Sequence, residues 1–398
     1  MEKDMEELLA TTLTHLLSLP AYTDPRGAYL ALQETLKAPI DETPPTQAQW
    51  EKLMGIATNI RNLAPWEALH ESEIVCILLP GYQEPVFAVT LGSGDQTYGI
   101  CICPGFDSLR RVQKIADSDG DTPELELLYS QNTINLYFGS RDELEKKERD
   151  IIKSLGLKFR GKTNWPLFRS MRPGYVPWTI NAQEAELAIE VLGNYFMAVS
   201  GQMQHEGGTD VDEDMVIYRS YDAKDKLWYT YHGPFKMPPF VEARLIFDDL
   251  FLINRLKKVK KSTKKLGFIA THMPMPYQED DNQRAKFPKV GIFLDGTEGM
   301  IIDQVFEDED APLEAKVFDT LSAYITDHGR PSVISVPSGL SLNMIEDFVK
   351  KCGIRLQVED DLLLVSAMLG DFANGMIDPS DFDNFDFDDF DGDDFTRV

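Results

Sequence analysis

The residues able to do chemistry are present in this chain, but they are not assembled into familiar catalytic spacings. Its six histidines are His15, His70, His205, His232, His272 and His328. They form no HExxH pair and no other short metal-ligand spacing, so no metal set is assigned. Ser338, in SVPSG, sits between an expected strand and an expected helix. The glycine that should precede a nucleophile elbow by two residues is missing. The segment GSGDQTYG invites a phosphate-loop reading, but such a loop must open a helix, and here another strand pattern follows. A β-hairpin turn is expected instead. Near the C-terminus, a calcium loop would need Asp at its first, third and fifth positions before Gly392, but the first is Phe387. Neither a catalytic residue nor a cofactor follows from these patterns.

The strongest local signal is the run GLKFRGKTNWPLFRSMRPGYVPW, residues 156–178. It holds five basic side chains, five aromatic ones and no carboxylate, in a chain whose formal net charge is −27. Pro166, Pro173 and Pro177 preclude a long regular helix, while Trp165, Phe168, Tyr175 and Trp178 supply large apolar area. Two readings follow. In one, the run is a rigid connector pinned by its aromatics, its arginines paired with surplus carboxylates. In the other it is a binding surface, with Arg160, Lys162, Arg169 and Arg172 meeting an anionic ligand while Trp165, Tyr175 and Trp178 stack on flat groups.

Two further charged segments stand out. RLKKVKKSTKK carries seven positive charges in eleven residues. It reads either as solvated lysines complementing a helix dipole or as a patch for nucleic acid or anionic lipid. The last 28 residues interleave six Phe with ten Asp. So charged a segment, short of aliphatics, is expected to be disordered. Phe382, Phe385, Phe387, Phe390 and Phe395 are candidate docking anchors, with Asp setting affinity for a basic groove. A merely solubilising tail is the other reading.

These segments must be positioned by regular elements. Helical patterns fall at about 4–19, 26–38 and 48–63. SEIVCILL, EPVFAVTLG and YGICICPG read as strands, FDSLRRVQKIA as a helix and TINLYFG as a strand. Ser140 and Glu143 have capping-box spacing before an apolar stripe that ends at Gly156, and Asn181 and Glu184 repeat the spacing. A polar linker precedes a hairpin over 215–235, turning at Ala223 to Asp225. An apolar helix is expected from Phe240 to Leu256. Then come LGFIAT, KVGIFLD and MIIDQVF as strands, a helix over 313–326, SVISV, a helix ended by Gly353, IRLQVE, and a last helix over LLLVSAML. The order βββαβαβα implies one mixed sheet flanked by helices.

A length of 398 residues suggests two to three domains. No apolar run approaches a membrane span, and the acidic start MEKDMEELLA resembles no targeting signal. Cys76, Cys101, Cys103 and Cys352 lie in apolar runs, which suits buried thiols better than disulfides or zinc. A cytoplasmic location is expected, with no membrane partner. Net acidity disfavours general nucleic-acid binding.

The run RDELEKKERDIIKSLGLKFRGKTNWPLFRSMRPGYVPW resembles a family of uncharacterised bacterial proteins built from two consecutive domains of unknown function. APWEALHESEIVCI and VTLGSGDQTYGICICPG resemble its N-terminal domain; MPMPY, FPKVGIFLDGTEGMI and GRPSVISV resemble its C-terminal one. The likeness covers about residues 48–365 and implies no chemistry. The C-terminal element order also resembles ribonuclease H-like folds, which hold two metal ions on carboxylates of the first and fourth strands. Here GFIAT has no carboxylate and SVISV runs into Pro337, so such a fold would lack its metal site. The expected architecture is α+β: an N-terminal helical extension (1–45), an α+β domain with a small antiparallel sheet (46–139), a helix–connector–helix unit (140–200), a C-terminal α+β domain (214–370) and the acidic tail (371–398). The leading functional expectation is a non-catalytic binding protein whose tail docks on a protein partner or masks the basic stretch. The alternatives are a nucleic-acid-related protein on a degenerate ribonuclease H-like fold, and an enzyme whose pocket would gather Arg169, Tyr175 and His272.

Overall fold

A computed structural model describes residues 23–28, 30, 41–70, 73–92, 97–116, 130–203, 215–273, 275–278, 283–307 and 312–359. Most of the two N-terminal helices, the helix expected over LLLVSAML and the whole acidic tail with its five Phe anchors lie outside them.

The first unit is a seven-stranded sheet. Helix α1 (Gln47–Leu63) opens on a capping box in which Thr46 and Gln49 exchange side-chain and backbone hydrogen bonds. Strands β1 (Ile74–Leu78), β2 (Val86–Leu91) and β3 (Tyr98–Pro104) follow, then α2 (Gly105–Ala116) and β4 (Thr133–Gly139). Next come α3 (Lys146–Ser154), β5 (Trp165–Met171) and α4 (Ala182–Met203). The sheet order is β5-β4-β3-β2-β1-β6-β7, with β6 (Met215–Asp222) and β7 (Leu227–Pro234) at one end. The antiparallel sheet expected over 46–139 is present as β1 to β4, and β2 pairs with β3 as the hairpin reading of GSGDQTYG requires. β5 comes from the expected connector, whose apolar Leu167 and Phe168 extend the sheet beside β4.

The β6–β7 hairpin also forms as expected, its turn closed by the Asp222 carboxylate accepting from the N–H groups of Lys224 and Asp225. Its allegiance differs from expectation. The sequence grouped it with the C-terminal domain, whereas β6 pairs in parallel with β1, from Val75↔Ile217 to Leu78↔Ser220, and completes the first sheet. The reason is burial. β1 is apolar at every position, as a central strand must be, and only a strand added beyond it covers its second edge.

Alternation along the strands sorts the core into two layers. Val75, Ile77, Ala88, Ile100, Ile102 and Leu136 pack beneath α1 and α4. Ile74, Cys76, Phe87, Val89, Cys101 and Cys103 face α2 through Phe106 and Leu109. All four cysteines are free and buried.

Helix α3 starts later than the Ser140–Glu143 spacing suggests. Glu143 does accept from Ser140 N–H, but this closes a turn. The helix begins at Lys146, where Glu148 accepts from the N–H of Glu145 at 2.8 Å.

The second unit holds α5 (Leu250–Lys257), β8 (Lys265–His272), β9 (Lys289–Asp295), β10 (Ile301–Phe306), α6 (Leu313–His328), β11 (Val333–Val336), α7 (Leu340–Lys351) and β12 (Arg355–Val358). Its sheet order is β10-β9-β8-β11-β12. β8 pairs antiparallel with β9 and parallel with β11, which in turn is parallel to β12. The mixed sheet, and its element order as far as β12, are those read from the sequence. The expected helix from Phe240 is shorter: 240–249 is irregular, because tertiary partners occupy its backbone donors. Leu245 N–H bonds the Asn343 carbonyl, Phe247 N–H bonds the Asp347 carboxylate, and Asp249 caps the helix that finally forms. No helix among the described residues is long and apolar enough to cross a membrane.

Candidate functional site

The basic–aromatic run divides into three parts. Residues 158–164 form an exposed loop that carries Arg160 and Lys162 into solvent. Their side chains make no ion pair among the described residues. The loop is held by Arg61, whose Nε donates to the Thr163 carbonyl at 2.9 Å while its guanidinium lies over Trp66.

The second part is strand β5, an edge strand, where Pro166 is tolerated. Trp165 is half-buried, edge-on to Phe159 with ring centroids 5.7 Å apart. Phe168 is sealed against Trp50. Arg169 does not reach solvent as a ligand contact would need. Its two Nη atoms grip both oxygens of Glu148 on α3, a fork-to-fork pair with Glu148 buried and Arg169 largely covered. Burial alone would lower the pKa of this guanidinium. The hydrogen bonds and charge of Glu148 outweigh it, and the net direction is upward.

The third part is the joint between the two units. Arg172-Pro173-Gly174-Tyr175 is a tight turn: Tyr175 N–H bonds the Arg172 carbonyl at 3.1 Å, with proline second and Gly174 at φ +79°, as a type II turn demands. Beyond it the chain pairs with the second unit. Val176 N–H bonds the Ala285 carbonyl at 3.0 Å, and Phe287 N–H bonds the Gly174 carbonyl at 2.8 Å. Lys286, between them, exchanges backbone hydrogen bonds with Tyr277. Val176, Ala285 and Phe287 form a small core of their own. The half-buried Trp178 then returns to β5, trading two backbone hydrogen bonds with Ser170.

Beside this strand pairing lies a buried ionic cluster. Arg284, with a side chain only 1% exposed, faces Glu42 at 3.5 Å and Glu184 at 4.0 Å, and its Nη1 donates to Ser170 Oγ at 3.0 Å. Glu184 also accepts from Ser170 Oγ at 2.6 Å, from Arg172 Nε at 3.4 Å and from Asn181 N–H at 3.0 Å. The Asn181–Glu184 box read from the sequence is therefore formed, and the same carboxylate is the hub of the joint. Burial pushes the Glu42 carboxyl upward against the pull of Arg284, and burial lowers the Arg284 guanidinium against both carboxylates. His272, at the end of β8, lies against Gly174. Burial first, and the Lys289 charge second, lower its pKa to about 4, so it is neutral near pH 7.

The structure thus brings Tyr175 and His272 to one joint and turns Arg169 toward α3. Glu42, Glu148, Glu184 and Arg284 complete the arrangement and were not singled out in the sequence. Only Glu184 carried a local signal there, as the partner in a capping box. A different basic surface stays open. Arg255, Lys257, Lys258, Lys260, Lys261, Lys264 and Lys265 are all exposed.

A chain with two mixed sheets, one domain after the other, is the class these features define. The family comparison agrees with it. Residues 50–219 match the domain of unknown function DUF7309, a stretch reaching into β6, and residues 252–373 match the domain of unknown function DUF6930. The chain is a tandem of these two domain families, the arrangement that its sequence resemblance implied. No curated protein matches it. Among solved structures, one similar chain comes from a simian T-cell lymphotropic virus intasome in complex with the PP2A regulatory subunit B56 gamma. The two share 17% identity over 28% of this chain and 37% of that one, with a TM-score of 0.20. So slight a likeness carries no argument about fold or function.

Proposed function

We propose that this is a non-catalytic cytoplasmic binding protein: a fixed two-sheet scaffold whose acidic, Phe-rich C-terminal segment is its docking element. One observation supports this reading above the others, namely the division of charge. Arg169 and Arg172 are neutralised internally by Glu148 and Glu184, and residues 174–176 are committed to holding the units together. This makes the basic–aromatic run chiefly a structural joint. Within the two basic segments, positive charge available for contact is left at Lys158, Arg160, Lys162 and the lysines of 257–265, and the sequence of the C-terminal segment supplies ten Asp of opposite charge.

The test compares proteins captured by the native chain with those captured by a variant in which Phe382, Phe385, Phe387, Phe390 and Phe395 are all changed to Ala. The variant is expected to lose most of a specific set of basic partners; equal recovery would remove the docking role. A second reading, a nucleic-acid-related protein on a degenerate ribonuclease H-like fold, is favoured by the lysine run that borders the second sheet. It requires binding to single-stranded oligonucleotide with log affinity falling by about 0.7 per phosphate contacted for each decade of salt.

A further inference from the structure

The lysine-bearing edge of the second sheet, at the amino end of β8, carries the densest run of positive charge in the sequence, bordered by Asp249 at the start of α5 and by Asp295 beside Lys264. From Arg255 to Lys265 there are seven cations and no acid, in a chain of net charge −27. Each of those side chains is exposed and forms no ion pair within the described residues. Helix α5 buries Ile253 and Leu256 and turns Phe251, Arg255 and Lys258 outward together, at the four- and three-residue spacings that share a face. Phe251 is 81% exposed and its neighbour Leu250 64%. The surface therefore offers apolar side chains at one end of a short helix and dense positive charge at the other.

The occupant chemically complementary to it interleaves carboxylates with aromatic rings. DFDNFDFDDFDGDDF, within residues 371–398, does this with Phe at 382, 385, 387 and 390, each next to at least one Asp. We propose that the exposed face of α5 and the loop leading to β8 are the resting seat of the chain's own acidic segment. This rests on the docking role proposed above and relocates the masking contact. It is the lysine edge that is covered, since the basic–aromatic run has two of its arginines tied internally.

The connection is long enough. Strands β8, β11 and β12 are parallel, and Lys265, Val333 and Arg355 stand in one row at their amino ends, so the lysine edge is where β12 begins. The end of β12 at Val358 is three residues further on, about 10 Å, and two strand spacings to the side, about 10 Å. Twelve residues separate Val358 from Asp371; fully extended they reach about 40 Å. Tethering also holds the segment at an effective concentration on the order of millimolar. The energetic driving force is the relief of mutual repulsion among seven cations, joined to the burial of Phe rings against Phe251 and Leu250.

Two measurements on the full chain test the seat. In the first, a zero-length carbodiimide joins Asp carboxyls to Lys amines, using mixed isotope-labelled chains to separate links within one molecule from links between two. Links from 371–398 should fall within one molecule on Lys257–Lys265, and their yield should drop about tenfold between about 0.01 M and about 1 M salt, as the Debye length shrinks from about 30 to about 3 Å. In the second, a dye is placed at S380C, selectively because the four native cysteines are buried. Its anisotropy should fall in K257Q/K258Q/K260Q/K261Q and stay unchanged in R160Q/K162Q. Links to Lys158 or Lys162, links spread over all lysines, links mainly between molecules, or an anisotropy indifferent to the lysine variant would each overturn the seat. So would an oligothymidylate that binds the native chain at the lysine edge without freeing the dye. None of these readouts uses an external protein partner, so they can fail while the capture experiment succeeds.

Discussion

At the scale of single residues, the joint shows what happens to ionisable groups when two units close over them. His272 is the clearest case. Its pKa falls to about 4 inside the joint, while an unfolded histidine titrates near about 6.5. Between those values the unfolded chain binds more protons than the folded one, so stability falls as pH drops through that window and is level above it. The loss attributable to this residue amounts to about 2 kcal/mol by about pH 5, an upper figure given its partial burial. Urea midpoints measured between neutral and mildly acidic pH should therefore decline less steeply in His272→Asn than in the native chain. Parallel curves would show that the histidine is not buried neutral. Burial also raises Glu42 and lowers Arg284, so desolvation works against charge on both partners. A buried pair of this sort fixes geometry more than it adds net stability.

Elements are tied to one another by side chains whose local role in the sequence looks ordinary. Glu148 sits in the first turn of α3, where an acid suits the helix dipole. Its carboxylate accepts from Glu145 N–H and also forks with Arg169 of β5. One side chain therefore starts a helix and fastens it to the edge strand. Removing it leaves a guanidinium buried and unpaired, a situation that costs about 3–5 kcal/mol. Glu148→Ala should lower stability to urea by that order, and the double change Glu148→Leu with Arg169→Met should recover much of it. If the single variant unfolds no more readily than the native protein, the fork is not holding α3 against the sheet. The type II turn at 172–175 works at the same scale, since Gly174 supplies the positive φ that lets β5 end and the joint strand begin.

For the whole molecule, the joint decides whether the sheets unfold together. Strand pairing between 174–176 and 285–287, the small Val176–Ala285–Phe287 core and Arg284 between Glu42 and Glu184 all bind the second unit to the first. The native chain should give one calorimetric transition. Arg284→Met, which leaves two partly buried carboxylates facing each other, should weaken the coupling by up to about 3–5 kcal/mol and separate the transition into two. Two transitions in the native chain, or one in the variant, would show that the cluster does not couple the units. Net charge acts at this scale too. The acidic tail and the exposed lysine edge lie in one molecule, and their attraction weakens with salt, unlike the buried joint.

Much of the architecture follows from the sequence taken by itself, because it depends on neighbours in the chain. Asn181 with Glu184 announces a helix start through hydrogen bonds three residues apart. Pro166, Pro173 and Pro177 exclude a long helix from 156–178, and strand alternation marks which side chains share a layer. The start of α3 and the extent of α5 were less legible. A turn can satisfy the same spacing as a cap, and the N–H groups of Leu245 and Phe247 found acceptors on a helix about a hundred residues away. What only tertiary structure decided was the fate of charge. No local pattern pairs Glu148 with Arg169, or sets Arg284 between Glu42 and Glu184, because each pair is brought together by elements distant in sequence. For the same reason the residue types of 156–178 cannot distinguish a displayed surface from a joint: a guanidinium gains as much from an internal carboxylate as from a ligand's, and the fold determines which of them it meets.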